Sequence, residues 1–234
     1  MKTYILTDLT RFSKPDKVCI ALVDPESGEC FRPLPYLTSK ACSDLDIQPG
    51  AKILGQLTLR DDRQAPHIED SRYGDLTFAG PSTAQEFRDI LEKTLSPSIA
   101  EGFGVPFEAN QKHIPDVTPA QSSILTIKVN PNEITIHEDQ YNPGKIKLSF
   151  QDASRHQFRY LSITDRGFYD FAQQHQNDSE LEKVQSLLQS QEEIFLRVGL
   201  SRSFKAQDGR EGCWVQVNGI YSFPDYPREI RQYS

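Results

Sequence analysis

Single-stranded nucleic acid is gripped by two kinds of side chain, guanidinium groups that reach phosphates and aromatic rings on which bases stack. The sequence sets them side by side at Arg11-Phe12 and again at Arg202-Ser203-Phe204, and it places Arg32 in the short run Cys30-Phe31-Arg32-Pro33. A further pattern is the alternation Trp214-Val215-Gln216-Val217-Asn218. In a strand, Val215 and Val217 turn to a core while Trp214, Gln216 and Asn218 share the outer face. A large ring beside two amides on an outer face reads as a recognition strip, because Trp is seldom left uncovered without reason. The competing expectation is that the chain covers Trp214 itself, with the aromatic, Pro-rich tail from Phe223 to Tyr233 as the cover. On the binding reading, Arg11, Arg32 and Arg202 contact phosphate; Phe12, Phe204 and Trp214 stack; Gln216 and Asn218 hydrogen-bond.

Other chemistry is poorly served. His67-Ile68-Glu69-Asp70 and His113 offer acid–base groups or metal ligands. In an extended segment, however, Glu69 and Asp70 point to opposite faces. Gly102-Phe103-Gly104 lacks the third Gly and the Lys of a phosphate loop, and no Gly-x-Ser-x-Gly elbow occurs. Cys19, Cys30, Cys42 and Cys213 show no zinc-knuckle spacing. Cys19 and Cys213 sit in apolar runs and read as buried thiols. No catalytic residue, metal or cofactor is assigned.

Charge argues against nucleic acid for the molecule as a whole. The 234 residues carry 26 basic and 33 acidic side chains, a net −7, with a pI near 5.3. The stretch 196–234 is locally basic, with Arg197, Arg202, Lys205, Arg210, Arg228 and Arg231 against Asp208, Glu211, Asp225 and Glu229. Apolar residues make up 37% and aromatics 10%, enough of both to exclude disorder. No apolar run reaches the roughly 18 residues of a membrane span. The acid at Asp8 comes too early for a signal peptide, so the expectation is a cytoplasmic protein without a membrane partner.

These residues must be held by short strands. Tyr4–Thr7, Val18–Asp24 and Cys30–Pro33 are strand-like, and Pro25-Glu26-Ser27-Gly28-Glu29 joins the last two as a hairpin. Residues 50–60 form a longer strand with a bend permitted at Gly55. Ser82 or Thr83 caps a helix over 84–95, with Phe87, Ile90, Leu91 and Leu95 on one face. Residues 96–122 are rich in Pro, Ser, Gln and Asn and read as a connection. Beyond it, Asn130-Pro131-Asn132 predicts a hairpin between Ile124–Val129 and Glu133–His137. Strands at 145–150, 158–163, 193–200 and 212–221 follow, with helices at 165–174 and 179–191 between the second and third of these. The expectation is a mainly β, α+β chain of two small barrels in tandem, 1–122 and 123–234. Each barrel resembles the five-stranded oligonucleotide/oligosaccharide-binding (OB) barrel. Leu9-Thr10-Arg11-Phe12 and Leu200-Ser201-Arg202-Ser203-Phe204 echo one another, which raises an internal duplication.

The residues also carry a family resemblance. Val18-Cys19-Ile20-Ala21, then Gly28-Glu29-Cys30-Phe31-Arg32-Pro33-Leu34, is similar to the opening of the bacterial dual OB-containing domain family. The run Leu196-Arg197-Val198-Gly199-Leu200-Ser201-Arg202, followed by Cys213-Trp214-Val215-Gln216-Val217-Asn218-Gly219-Ile220-Tyr221, resembles its closing block. The resemblance implies two OB-like barrels and a nucleic-acid-related role, sometimes in a defence context, and it brings no catalytic residues. The leading expectation is therefore a non-enzymatic module for single-stranded nucleic acid or a nucleotide-like ligand. The rivals are a protein-interaction module, which an acidic chain with Pro-rich arms would suit, and a hydrolase built on His67, Glu69 and Asp70.

Overall fold

A computed structural model describes residues 1–12, 16–139, 142, 145–175, 178–226 and 230. The first half holds β1 (Lys2–Arg11), β2 (Lys17–Val23), β3 (Cys30–Pro33), β4 (Leu37–Thr38), α1 (Ser39–Asp44), β5 (Ala51–Gly55), β6 (Leu57–Leu59), β7 (Asp70–Tyr73), β8 (Thr77–Pro81) and α2 (Ala84–Lys93). The rest holds α3 (Ile99–Phe103), β9 (His113–Pro115), β10 (Ile124–Val129), β11 (Thr135–Glu138), β12 (Ile146–Gln151), β13 (Gln157–Ile163), α4 (Arg166–Gln174), α5 (Glu180–Gln189), β14 (Glu193–Leu200), β15 (Phe204–Lys205) and β16 (Glu211–Phe223). Among the described residues, no helix is long and apolar enough to cross a membrane.

Two strand circuits organise the chain. In the first, β1, β2 and β3 pair antiparallel in order. The third strand then runs parallel to β7, with Arg32 opposite Asp70. β7 returns antiparallel to β6, and β6 continues through Gln56 into β5, which pairs with β1. Residues 51–59 thus act as one bent strand that closes the barrel. Gly55 sits at the bend, where a Cβ would lie 2.7 Å from the Leu76 side chain.

The second circuit has the same order. β11, β12 and β13 are antiparallel, β13 runs parallel to β16, β16 pairs with β14, and β14 pairs with β10. Here β10 and β11 are the two halves of the bent strand. The predicted Asn130–Asn132 hairpin does not form, because the two halves pair with different partners. The Asn130 side chain accepts from the Asn132 N–H at 3.0 Å and Pro131 leads a 3-10 turn, so the strand bends instead of reversing. In both circuits the helices fall between the third and fourth strands, as α1 in one and α4 with α5 in the other. That is the OB architecture, twice.

Local chemistry fixes the helices. Thr83 and Glu86 form a capping box, with Thr83 Oγ1 accepting from the Glu86 N–H and Glu86 Oε2 accepting from the Thr83 N–H at 2.7 Å. Asp165 accepts from the Gly167 N–H at 3.0 Å to start α4. The 96–122 connection packs with the second barrel. Ile99, Phe103, Val105, Ile114 and Ala120 join its core, and β9 pairs with β16.

The barrels are docked through buried polar groups. The Arg197 guanidinium, 1% exposed, donates to Asp8 Oδ2 at 2.8 Å and to Thr126 Oγ1 at 2.9 Å. Tyr221 donates its hydroxyl to the Thr7 carbonyl at 2.5 Å. The Glu69 carboxylate accepts from the Ser123 N–H at 2.8 Å, the Ser123 hydroxyl at 2.7 Å and the Ile124 N–H at 3.2 Å. α2 straddles the seam, packing Ile90 against Ile5 and Val23 of the first barrel and Leu91 against Phe195 and Tyr221 of the second. The motif Asn218-Gly219-Ile220-Tyr221 belongs to this seam. A Cβ on Gly219 would meet the Tyr221 hydroxyl at 2.5 Å, so Gly219 makes room for the Tyr221–Thr7 bond.

Candidate ligand cleft between the barrels

OB barrels bind ligands on the face of their second and third strands and on the loops joining strands one to two and four to five. In the second barrel these elements are β12, β13, the described residues Asp139, Asn142 and Lys145 between β11 and β12, and the loop 201–210. All of them contribute to a cleft of about 800 Å³. The facing wall comes from the first barrel, through the end of β1, Cys19 and Arg32, with Tyr36 from the segment leading into β4. A second cleft of about 510 Å³ lies on the first barrel's own loop between β6 and β7, with Arg60, Arg63 and His67 in its lining. Tyr36 and Arg202 line both clefts. Arg202 Nε donates to the Tyr36 hydroxyl at 3.1 Å, so this pair forms the bar between them.

Seven of the eight residues singled out from the sequence line the larger cleft: Arg11, Phe12, Arg32, Arg202, Phe204, Gln216 and Asn218. Their surroundings differ. The Arg11 guanidinium lies 3.5 Å from the centre of the Tyr169 ring, and Phe12 packs on Tyr36 at 4.6 Å. Arg32 is buried and committed to protein, its Nε on Asp70 Oδ1 at 2.7 Å and its Nη1 on Ser123 Oγ at 3.1 Å. Arg202 also reaches Asp70, at 2.8 Å, and is more open. Burial opposes ionisation of Asp70, but the two guanidiniums outweigh it and hold the carboxyl below its usual range. The Gln216 amide makes no hydrogen bond to another described residue and faces the cleft. Asn218 is buried, accepting from the Thr164 hydroxyl at 3.0 Å.

Trp214 stands outside the cleft. Its ring is stacked on His113 at 5.1 Å and on Phe204 at 5.7 Å, with the Arg210 guanidinium 4.7 Å from its centre. The cover comes from β9, β15 and the loop, and the expected tail goes elsewhere. Phe223 and Tyr226 pack around Leu91, Phe195 and Tyr221, while 227–229 and 231–234 lie outside the described residues. Phe204, 49% exposed, carries the open end of this stack.

Sequence reasoning missed Tyr36, Tyr169, Lys145 and Lys147. The two lysines flank Ile146 at the start of β12, and their period-two spacing was the available signal. With them the cleft lining holds Arg11, Arg32, Lys145, Lys147 and Arg202 against Asp139, a basic lining in an acidic protein. Little of this comes from the 196–234 excess. Arg197 is spent on Asp8, and Arg210 on Asp208 at 2.6 Å.

His67, Glu69 and Asp70 do not converge. Glu69 is taken by Ser123 and Ile124, Asp70 by the two arginines, and neither His67 nitrogen has a hydrogen-bond partner. Burial, then Arg32 and Arg202, push the imidazole down to about 3. Among the described residues no group of three or more His, Cys, Asp or Glu is placed to hold a metal. The four cysteines are free thiols. Burial pushes Cys19, which lines the cleft, up to about 11, far from a reactive thiolate.

The duplication echo fails on topology. Leu9–Phe12 ends the first strand of one circuit, whereas Leu200–Phe204 follows the fourth strand of the other. The two arginines meet in one cleft from non-equivalent positions.

Fold and cleft together define a protein of two docked OB barrels that share one basic, aromatic-edged groove. The sequence model of the dual OB-containing domain family matches residues 6–220, and the chain belongs to that family. No curated protein matches it. Among solved structures, a murine DNA-binding protein bound with double-stranded DNA shares 8% identity. That match covers 94% of this chain and 95% of that one at a TM-score of 0.31, a likeness too slight to carry an argument.

Proposed function

We propose that the inter-barrel cleft binds single-stranded nucleic acid, or its nucleotide unit, without catalysing a reaction on it. The observation that carries this reading is the convergence of the second barrel's OB ligand edge and the β1–β3 side of the first barrel on one volume, with a basic lining inside an acidic molecule. Arg11, Arg202, Lys145 and Lys147 are the phosphate contacts, Phe12 and Phe204 the stacking edges, and Gln216 the hydrogen-bonding amide. Arg32 and Asn218 shape the walls, and Trp214 backs Phe204.

The test is fluorescence anisotropy of a labelled oligonucleotide, titrated with the full chain at several salt concentrations. The expected result is binding at low salt that weakens with a slope of roughly −0.7 per phosphate contacted. A mononucleotide arm separates strand binding from nucleotide binding. Absence of binding to either probe at low salt overturns the proposal, since phosphate contacts are strongest there.

A further inference from the structure

We propose that a strand bound in the cleft continues along the second barrel onto Tyr160, which serves as an additional base-stacking platform; this rests on the nucleic-acid reading above. Tyr160 was singled out by no sequence pattern, and the reason is a β-bulge. Leu148 pairs with Leu161 and Phe150 with Phe158, so Ser149 on β12 faces both Arg159 and Tyr160 on β13. Strict alternation would put Tyr160 on the inner side with Phe158 and leave Leu161 outside. The extra residue lets Phe158 and Leu161 both point inward and turns Tyr160 out, 54% exposed.

The arrangement is held at a cost. Tyr160 has φ +55°, a left-handed conformation that bulky side chains rarely adopt. Its N–H is caught by Ser149 Oγ at 3.0 Å. Strained backbone and bulges gather where a side chain has been re-aimed for use. The ring leans on His137 at 4.7 Å, and the Lys112 ammonium lies 6.0 Å from its centre.

Position and charge connect Tyr160 to the cleft. Ser162, next on the outer side of β13, lines the cleft and accepts from Lys147 Nζ at 2.8 Å. Among the described residues Lys112 has no carboxylate within ion-pair distance. Burial, then the nearby charges of Lys147 and Arg210, depress its ammonium. A partly buried, unpaired cation beside an open aromatic ring fits a phosphate and the base next to it.

The test uses Tyr160→Asn, because Asn tolerates the left-handed backbone and removes the ring. Anisotropy is read with a short oligonucleotide that the cleft alone accommodates and with a series of longer ones. The wild-type chain should gain affinity with length, and Tyr160→Asn should lose about tenfold on the long probes and nothing on the short one. Tyr160→Phe should bind as the wild type does, and the melting temperature of Tyr160→Asn should not fall. Equal binding of long probes by wild type and Tyr160→Asn overturns the platform while leaving the cleft proposal standing. So does a lowered melting temperature with unchanged binding, which would make the ring a packing element. Failure of every probe to bind the wild-type chain overturns the cleft proposal itself.

Discussion

Substituting Arg197→Met would test the docking of the barrels most sharply. The side chain is 1% exposed and Asp8 2%. Methionine fills much of the volume but leaves the Asp8 carboxylate buried, with the Thr7 hydroxyl at 2.7 Å as its remaining donor. Thr126 Oγ1 loses a donor as well. Breaking one side of a buried ion pair costs about 3–5 kcal/mol. For a chain of this size the urea slope is about 3 kcal/mol per molar, so the midpoint should fall by about 1–2 M. Replacing both partners, as Asp8→Leu with Arg197→Met, removes the stranded charge and should recover most of that loss. Urea unfolding would be followed by far-UV circular dichroism and by Trp214, the single tryptophan, which sits in the second barrel. The buried Arg197–Asp8 and Tyr221–Thr7 contacts couple the barrels, so in the wild type the two probes should coincide. The reasoning is refuted if Arg197→Met moves the midpoint by less than about 0.3 M, or if the double variant is as unstable as the single one. Separate wild-type transitions for the two probes would equally refute it.

Three further predictions concern single sites. In Gly199→Ala the new Cβ would lie 2.3 Å from Asn218 Nδ2, and overpacking of this kind should cost about 1–3 kcal/mol in thermal unfolding; the added Asn218→Ala change should recover part of it. His67 is neutral in the folded chain, with a pKa of about 3 against roughly 6.5 unfolded. The unfolded state therefore takes up the proton first, and stability should fall as pH drops from about 6.5 toward 3, by up to about 1.4 kcal/mol per pH unit; His67→Phe should flatten that slope in urea midpoints taken across the window. Arg202→Ala should weaken oligonucleotide binding and reduce the salt slope by about 0.7, with a smaller fall in the unfolding midpoint than Arg32→Ala, because Arg202 is the more open of the two Asp70 partners whereas Arg32→Ala strips both buried Asp70 and Ser123 of a partner.

Much of the fold is legible because its signals are local. The Pro25–Glu29 turn, the Thr83–Glu86 capping box and the period-two runs of β14 and β16 each sit within a dozen or so residues. What escaped was non-local. Nothing in Asn130-Pro131-Asn132 states that the flanking strands will pair with β14 and β12 rather than with each other. One face of the cover on Trp214 comes from His113, a hundred residues earlier. Arg32 has the residue type of a phosphate contact, and only the parallel pairing of β3 with β7 shows that Asp70 claims it. Tyr160 is hidden for a further reason, since a bulge breaks the alternation by which an outer face is read.

The polar seam also bears on how the chain is made. β1 and β2 leave the ribosome long before Arg197 and Tyr221, so the first barrel waits for its partner. While it waits, Asp8 and Glu69 face water, which solvates carboxylates well. A seam of leucines would instead display a sticky surface during synthesis. Dehydrating those charges is deferred until the arginine and the amides that receive them have been translated and the second barrel docks.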